Sequence, residues 1–258
     1  MTPTLQELAE DAFAYMEGPD VEFLRRDDLV LRNDPTPHPF LAMVLRPRVN
    51  DVDATLAEVR AWFGARGRDA YTWLVSSAST PTGLVDALLE RGLQPDTLDA
   101  LYAGMTLEQE PPGTDGIEVR KSENVDDALA ASEIGWRSFG FTEEQIEHER
   151  AVFRERYDLW KDDPGGDRFV ALLDGEIVGS GGARYFESGI YLLGGNVAGH
   201  ARGRGVYRAL VRARWDEAVR RGTPALVVQA GKMSRPILER LGFRTVCEGR
   251  VLLDDSGA

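Results

Sequence analysis

The chain predicts a layered fold that mixes helices and strands, of the α/β or α+β class, and three observations predict it. Apolar residues switch between period-two runs and 3.6-period stripes along residues 117–254. The segment LEQEPPGTDG (Leu107–Gly116), rich in proline, glycine and acidic residues and without periodicity, reads as a linker between two parts of ordinary domain size. A helix–strand–helix pattern occurs once on each side of it.

The second part reads in order as follows. IEVRKS (Ile117–Ser122) is a short strand, and DDALAASEIGWRSFG (Asp126–Gly140) is a helix with Ala128, Ala131, Ile134 or Gly135, and Phe139 near one face. Thr142 caps the next helix, with Glu143 and Glu144 in its first turn and Gln145 at the capping-box position. That helix runs through Phe153 and Tyr157 until DDPGGD breaks it. DRFVALLDGEIVGSGGARYF is a hairpin turning at Asp174–Gly175, and IYLLGGNVA is a further strand. After Gly205 a helix places Leu210, Val211, Trp215, Ala218 and Val219 on one stripe, with the arginines mainly elsewhere, and Gly222 stops it. PALVVQA is a buried strand, MSRPILERLGF a short helix ending near Gly242, and RTVCEGRVLLD supplies the last strands.

The first part echoes this pattern. DATLAEVRAWFGARGRDAYTWLVS (Asp53–Ser76) parallels YRALVRARWDEAVRRGTPALVVQA (Tyr207–Ala230), and LLERGL parallels LERLGF. A degenerate internal repeat accounts for this, with chance recurrence of amphipathic patterns as the alternative. Where the second part has its arginine–glycine loop, the first has LRPRVNDVDA.

Composition narrows the function. A net charge of −13 argues against a non-specific nucleic-acid binder and mildly favours a cationic ligand. The single cysteine, Cys247, allows neither an intrachain disulfide nor a thiolate cluster and reads as a small buried apolar residue. His38, His148 and His200 lack metal-ligand spacing, so no metal is expected. MTPTLQELAEDAF is no signal peptide, and no stretch approaches the roughly 20 apolar residues of a membrane span. A cytoplasmic protein, monomer or homodimer, without nucleic-acid or membrane partners is the expectation.

GHARGRGVYRALV (Gly199–Val211) carries the chemistry. Glycines threaded between arginines at a helix start suit a phosphate, because the first amides of a helix have no intrahelical partner. Gly203 and Gly205 let the backbone turn sharply and approach the ligand closely. Arg202, Arg204 and Arg208 add charge-assisted contacts. A glycine-capped helix with a solvated basic face is the bland alternative. No Gly-Lys-Ser/Thr follows, which disfavours a nucleoside triphosphate.

NVAGHARGRGVYRALV, followed by ALVVQA and LERLGF, resembles the GCN5-related N-acetyltransferases (GNAT) over about residues 117–254. The family motif Q/R-x-x-G-x-G/A falls on Arg202, Gly203, Arg204, Gly205, Val206 and Tyr207; Tyr207 departs from it, standing where a small residue is expected. Leu241, Gly242 and Phe243 form the second signature. The resemblance implies a mixed, mostly antiparallel sheet flanked by helices, in two such domains. Residues 1–110 would be a degenerate copy without the cofactor motif, and 117–258 the catalytic domain. It implies acetyl-CoA as co-substrate and a small-molecule amine or peptide as acceptor.

By the same resemblance, the strand end at Val197 and Ala198 lies along the pantetheine arm, and the Val197 amide faces the thioester carbonyl. Ser234 stands near the pantetheine or simply caps a helix. The tyrosine that commonly protonates the leaving thiolate is replaced by Leu238, which leaves Tyr207, Tyr191 or water. Glu187 and Tyr191 lie on the strand pair expected to face the acceptor, and Glu187 is either a general base or a solvated turn residue. His200 is a base or a surface residue, and Trp136 and Phe139 line the acceptor pocket or the core. The function implied is N-acyl transfer by direct attack of an amine; a non-catalytic acyl-CoA-binding module of the same fold is the alternative.

Overall fold

A computed structural model describes residues 2–18, 20–35, 41–96, 100–138 and 140–255, without the side chains of residues 159 and 160; His38 and Phe139 lie outside the described residues. Before the linker the chain forms α1 (Leu5–Asp11), β1 (Glu22–Arg25), β2 (Val30–Asn33), β3 (Ala42–Leu45), α2 (Val52–Gly64), β4 (Tyr71–Ser76), α3 (Leu84–Glu90), β5 (Gln94–Pro95) and β6 (Leu101–Leu107). After it come β7 (Glu118–Lys121), α4 (Val125–Ser138), α5 (Glu143–Trp160), β8 (Gly166–Leu173), β9 (Glu176–Phe186) and β10 (Gly189–Val197). Then follow α6 (Val206–Arg220), β11 (Leu226–Ala230), α7 (Arg235–Arg240) and β12 (Arg244–Asp254). The mixed, mostly antiparallel sheet flanked by helices is the class the sequence predicts.

The chain divides into two compact units. The N-terminal unit contains Thr4–Thr106, Gln229–Glu239 and the tail from Arg244. Its strands run β1-β2-β3-β4-β12-β6, with β5 on β12, and only β3–β4 is parallel. Leu31, Val44, Trp73 and Leu252 of the sheet pack with Leu56, Val59 and Phe63 of α2 and Leu88 of α3. Phe63 stacks on Tyr71 at 4.1 Å. The buried Asp254 carboxylate accepts from the Tyr71 hydroxyl (2.9 Å) and Arg60 Nε (3.0 Å), so β12 is pinned at its end. The predicted last strands are one continuous strand.

The glycine-loop unit contains Leu107–Val228 and Arg240–Phe243, with strand order β11-β10-β9-β8-β7. Only β10–β11 is parallel. Thr142 and Gln145 exchange both bonds of the capping box (2.8 and 3.3 Å), and Asp174 and Gly175 turn the hairpin at φ 51° and 82°. Gly135, not Ile134, is buried on α4, where a side chain would meet Asn196 of β10.

Along α6 one expectation fails. Val219 is 52% exposed, whereas Arg214 is 0% exposed. The buried stripe is centred near Arg214, and five residues at 100° each carry Val219 about 140° round to solvent.

Both halves of the chain run strand, helix, parallel strand, helix: β3-α2-β4-α3 and β10-α6-β11-α7. The two helix starts differ chemically. α2 begins with the Asp51 carboxylate accepting from Ala54 N at 3.0 Å, whereas α6 begins with Gly205 and has no side-chain cap. A carboxylate at that helix start repels a phosphate; a bare glycine leaves the amides to an anion.

Candidate active site

The loop before α6 turns through two left-handed glycines, Gly203 (φ 76°) and Gly205 (φ 89°). A Cβ on Gly205 would fall 2.8 Å from Thr114 Cγ2, so that position excludes a side chain both by backbone and by contact. Arg202, Arg204 and Arg208 are exposed, and Arg202 Nε donates to the Val197 carbonyl at 3.3 Å.

Beside this loop β10 parts from β11. Their ladder holds Ile190 opposite Leu226 and Tyr191 opposite Val227 and ends there, while β10 continues to Val197. Ala198 N donates to Val178 O of β9 at 2.8 Å. Successive amides of an extended chain face opposite edges, so the Val197 N–H faces the edge that β11 has left. A register shift between Leu193 and Gly195, with Gly194 at φ 42°, bends the strand just before this point.

α4, α5 and strands β8 to β10 enclose a cavity of about 440 Å³, lined among others by Trp136, Tyr157, Asp163, Arg168, Ser180 and Asn196. Its floor includes Gly181, Gly182 and Gly194. Gly181 stands opposite Gly195, and both lend their opposite face to α6. A Cβ on Gly195 would meet the Tyr207 ring at 2.3 Å, and one on Gly181 would meet the Arg214 guanidinium at 2.8 Å. The sheet is therefore bare backbone here, with the cavity on one side and Tyr207 and Arg214 on the other.

Arg214 donates through Nε to Leu210 O (2.9 Å) and through Nη1 to Gly182 O (3.1 Å), while its Nη2 is buried without a partner. Burial lowers its pKa to about 10, so it remains a cation at neutral pH. Burial raises the Tyr207 phenol, and the Arg214 charge opposes that shift.

Within the cavity Asp163 pairs with Arg184, and Asp167 pairs with Lys121 Nζ (2.5 Å) and accepts from the Tyr185 hydroxyl. Arg168 Nη1 donates to Ser132 Oγ (2.7 Å) and Ala128 O (3.4 Å) of α4, and burial lowers its pKa. Ser180 Oγ donates to Ala131 O at 3.2 Å. Among the described residues no group of three or more His, Cys, Asp or Glu could hold a metal ion, and no helix is long and apolar enough to cross a membrane.

Residues 130–243 match the acetyltransferase (GNAT) family. This segment is a GNAT domain. The fold of nearly the whole chain is similar to solved GNAT proteins. A GCN5-related N-acetyltransferase from Kribbella flavida shares 16% identity at a TM-score of 0.70, over 95% of each chain. One from Sphaerobacter thermophilus shares 17% at 0.61, over 98% of this chain and 94% of that one. A tandem GNAT protein from the clavulanic acid biosynthesis pathway shares 14% at 0.64, over 99% of this chain and 89% of that one. No match is found among curated proteins. The GNAT family and fold support acyl transfer from acyl-CoA in general.

The GNAT domain brings Val197, the loop from Arg202 to Val206, Tyr207 and Arg208 together at one end of β10. Ala198 directs its own amide to Val178. Glu187 lies in the turn at the opposite end of the β9–β10 hairpin, exposed and accepting from the Thr2 hydroxyl. Eight residues of strand, roughly 25 Å, keep it from Val197. Tyr191, 3% exposed, stands opposite Arg184 and does not line the cavity. His200 is 60% exposed, with Nε2 at 3.6 Å from Glu176. Trp136 lines the cavity and meets Phe153 edge to face at 6.0 Å.

Ser234 belongs to the other compact unit and donates its hydroxyl to Gly231 O at 3.3 Å; Leu238 of α7 is fully buried. Cys247 is buried, and desolvation pushes its thiol up to about 11, which suits an inert apolar residue. Sequence reasoning missed Arg168 and Arg214. The run GSGG (Gly179–Gly182) inside a strand was the available signal, since interior glycines mark close approach by another group.

Proposed function

We propose that the protein is an acetyl-CoA-dependent N-acetyltransferase that moves the acetyl group to a primary amine of a small molecule or peptide by direct attack. The observation that carries this reading is the parting of β10 from β11 beside the bare glycine loop, with the Val197 N–H facing the gap. In this reading the amides from Gly203 to Tyr207, with Arg202, Arg204 and Arg208, hold the pyrophosphate. The Val197 N–H donates to the thioester oxygen as negative charge develops on it. The acceptor enters through the cavity under α4 and α5 and attacks as the free amine, after losing its proton to water there.

Tyr207, whose ring rests on Gly195 two residues before Val197, is better placed than Tyr191 to return a proton to the leaving thiolate. Glu187 is too remote to act as base. Residues 1–110 serve as a copy without cofactor, in keeping with the Asp51 carboxylate at the start of α2, and residues 117–258 carry the catalytic domain. A cytoplasmic monomer or homodimer fits this reading.

A second reading, acyl-CoA binding without turnover, draws on Leu238 at the position of the family acid. Calorimetric titration with acetyl-CoA, paired with a thiol-release screen over polyamines, aminoglycosides, amino acids and peptides, separates them. Binding with thiol release supports transfer. Binding without release across the panel supports the second reading, and absence of binding removes both.

A further inference from the structure

We infer that Asn196 receives the attacking nitrogen of the acceptor, and that this nitrogen belongs to a weakly basic amine, such as the α-amino group of an amino-acid amide or peptide, bound in its neutral form. The inference rests on the transferase reading for the position of the thioester, and on the cavity itself for the amine.

The strand sets the direction of Asn196. Side chains alternate across a sheet, and a Cβ on Gly195 would meet Tyr207 of α6, so Asn196 faces the other way and lines the cavity under α4. Gly135 of α4 makes room for it, since a Cβ there would lie 3.4 Å from Asn196 Nδ2. Ser180, its cross-strand neighbour, is turned to α4, where its hydroxyl donates to Ala131 O. The Asn196 carboxamide therefore faces the cavity, without a hydrogen-bond partner among the described residues. It stands one residue before Val197, whose N–H faces the gap that β11 leaves.

This juxtaposition suits a neutral amine. An amine attacks through its lone pair, so its N–H bonds point back toward the side from which it came, and Asn196 Oδ1 accepts one of them. A carboxamide offers no charge to hold an ammonium and takes no proton. The carboxylates lining the cavity are committed elsewhere: Asp163 pairs with Arg184, while Asp167 pairs with Lys121 and accepts from the Tyr185 hydroxyl. The cations on the same walls also have partners, with Lys161 on Asp158 and Arg168 on Ser132. Stripping water from an ammonium here costs more than a neutral dipole returns.

Basicity then decides the acceptor class. An alkylamine of the lysine kind, with a pKa of about 10.4, is neutral to about one part in a thousand at pH 7.4, whereas a peptide α-amine, with a pKa of about 7.7–8.0, is neutral to about a quarter. Trp136 and Tyr157 line the cavity, each in ring contact with Phe153, at 6.0 and 6.3 Å, and give an apolar wall for the group beside the amine. In the transfer the N–C bond forms and the C–S bond breaks. The nitrogen sheds its surplus proton to water and the thiolate takes one from Tyr207, so Asn196 stays neutral throughout.

The test is calorimetric binding to the full chain saturated with coenzyme A, which needs no turnover. Phenethylamine and phenylalaninamide serve as probes; they share the ring and the amine, and the carboxamide lowers the basicity of the second. Between pH 6 and pH 9 the affinity for phenethylamine rises about tenfold per unit, as its neutral fraction does, whereas that for phenylalaninamide levels off near pH 8. Asn196→Ala weakens both fivefold or more at pH 8, and Asn196→Ser replaces it if the alanine variant does not melt cooperatively. Asn196→Asp supplies a charge to the ammonium and flattens the pH dependence for phenethylamine, which a merely structural role would not do. Phenethylamine affinity that does not vary with pH in the wild type, an alanine variant within twofold of it, or no binding by either probe overturns the inference. Thiol release from acetyl-CoA is read separately. Binding that depends on Asn196 without release leaves the amine site standing and removes the transferase reading, whereas release unaffected by Asn196→Ala removes the site and leaves the transferase.

Discussion

Glu217 ties the helix behind the glycine loop to the strands that wall the cavity, and its removal has a calculable effect. Its side chain is 7% exposed and accepts from Arg220 Nε and Nη2 (2.8 and 2.5 Å), Arg221 Nε (2.8 Å) and Lys121 Nζ (3.1 Å). Hydrogen bonds from Arg220 first, then Arg221 and Lys121, outweigh burial and bring its carboxyl from 4.5 down to about 2. At 1.36 kcal/mol per unit that corresponds to about 3.4 kcal/mol at neutral pH. Arg220 and Lys121 are 63% and 39% exposed, however, so their attraction is screened by solvent. Screening of this kind brings the loss expected for Glu217→Gln to about 1.5–2 kcal/mol at pH 7.

The pH dependence follows from the sign of the shift. A carboxyl whose pKa is depressed on folding stabilises the native state above its unfolded value, and that contribution fades as pH falls through the folded value. The gap between wild type and Glu217→Gln is therefore full above pH 5 and closes between about 4.5 and 2. Urea unfolding followed by tryptophan fluorescence reads this, since Trp215 sits on the same helix. A variant within 0.5 kcal/mol of wild type at pH 7, or a gap that does not shrink between pH 5 and pH 3, refutes the reasoning.

Further outcomes concern the loop and the floor. Gly205→Val abolishes acetyl-CoA binding in a protein that still melts cooperatively, because a branched side chain cannot adopt φ 89° or clear Thr114; an unchanged dissociation constant by calorimetry would falsify the cradle. Tyr207→Phe lowers kcat by tenfold or more with acetyl-CoA affinity within twofold, and an unaltered kcat takes Tyr207 out of proton transfer. Gly181→Ala destabilises by about 1–3 kcal/mol in chemical denaturation, since its Cβ lands 2.8 Å from a guanidinium that has no room to withdraw; a neutral effect would mean that Arg214 is looser than its burial implies.

Local signals carried most of the second part. Thr142 and Gln145 announce a helix start through four residues of sequence, and Asp174–Gly175 announces a hairpin through two, because each feature is satisfied within its own segment. The arginine–glycine loop was legible for the same reason. Arg214 was not: on a helix rich in arginines, only the bare backbone of Gly181 on another strand explains why this one turns inward. The anchoring of Arg168 likewise shows only once α4 lies over β8 and supplies Ser132. The direction of the Tyr207 ring depends on Gly195, twelve positions back, and on a strand irregularity that no local rule announces. Glu187 looked well placed because strand pairing was read without its polarity along the hairpin.

The place of β12 has a consequence for how the chain is made. This strand lies between β4 and β6, and its Asp254 receives Tyr71 and Arg60, yet it is translated only after the entire glycine-loop unit. During vectorial synthesis the nascent first unit holds two open strand edges and an unmatched Arg60 until β12 has emerged from the ribosome. The glycine-loop unit, by contrast, has β7 to β11 in hand before that strand emerges. The half that begins first is thus completed last, and a fragment cut at the linker would release it with its sheet unclosed.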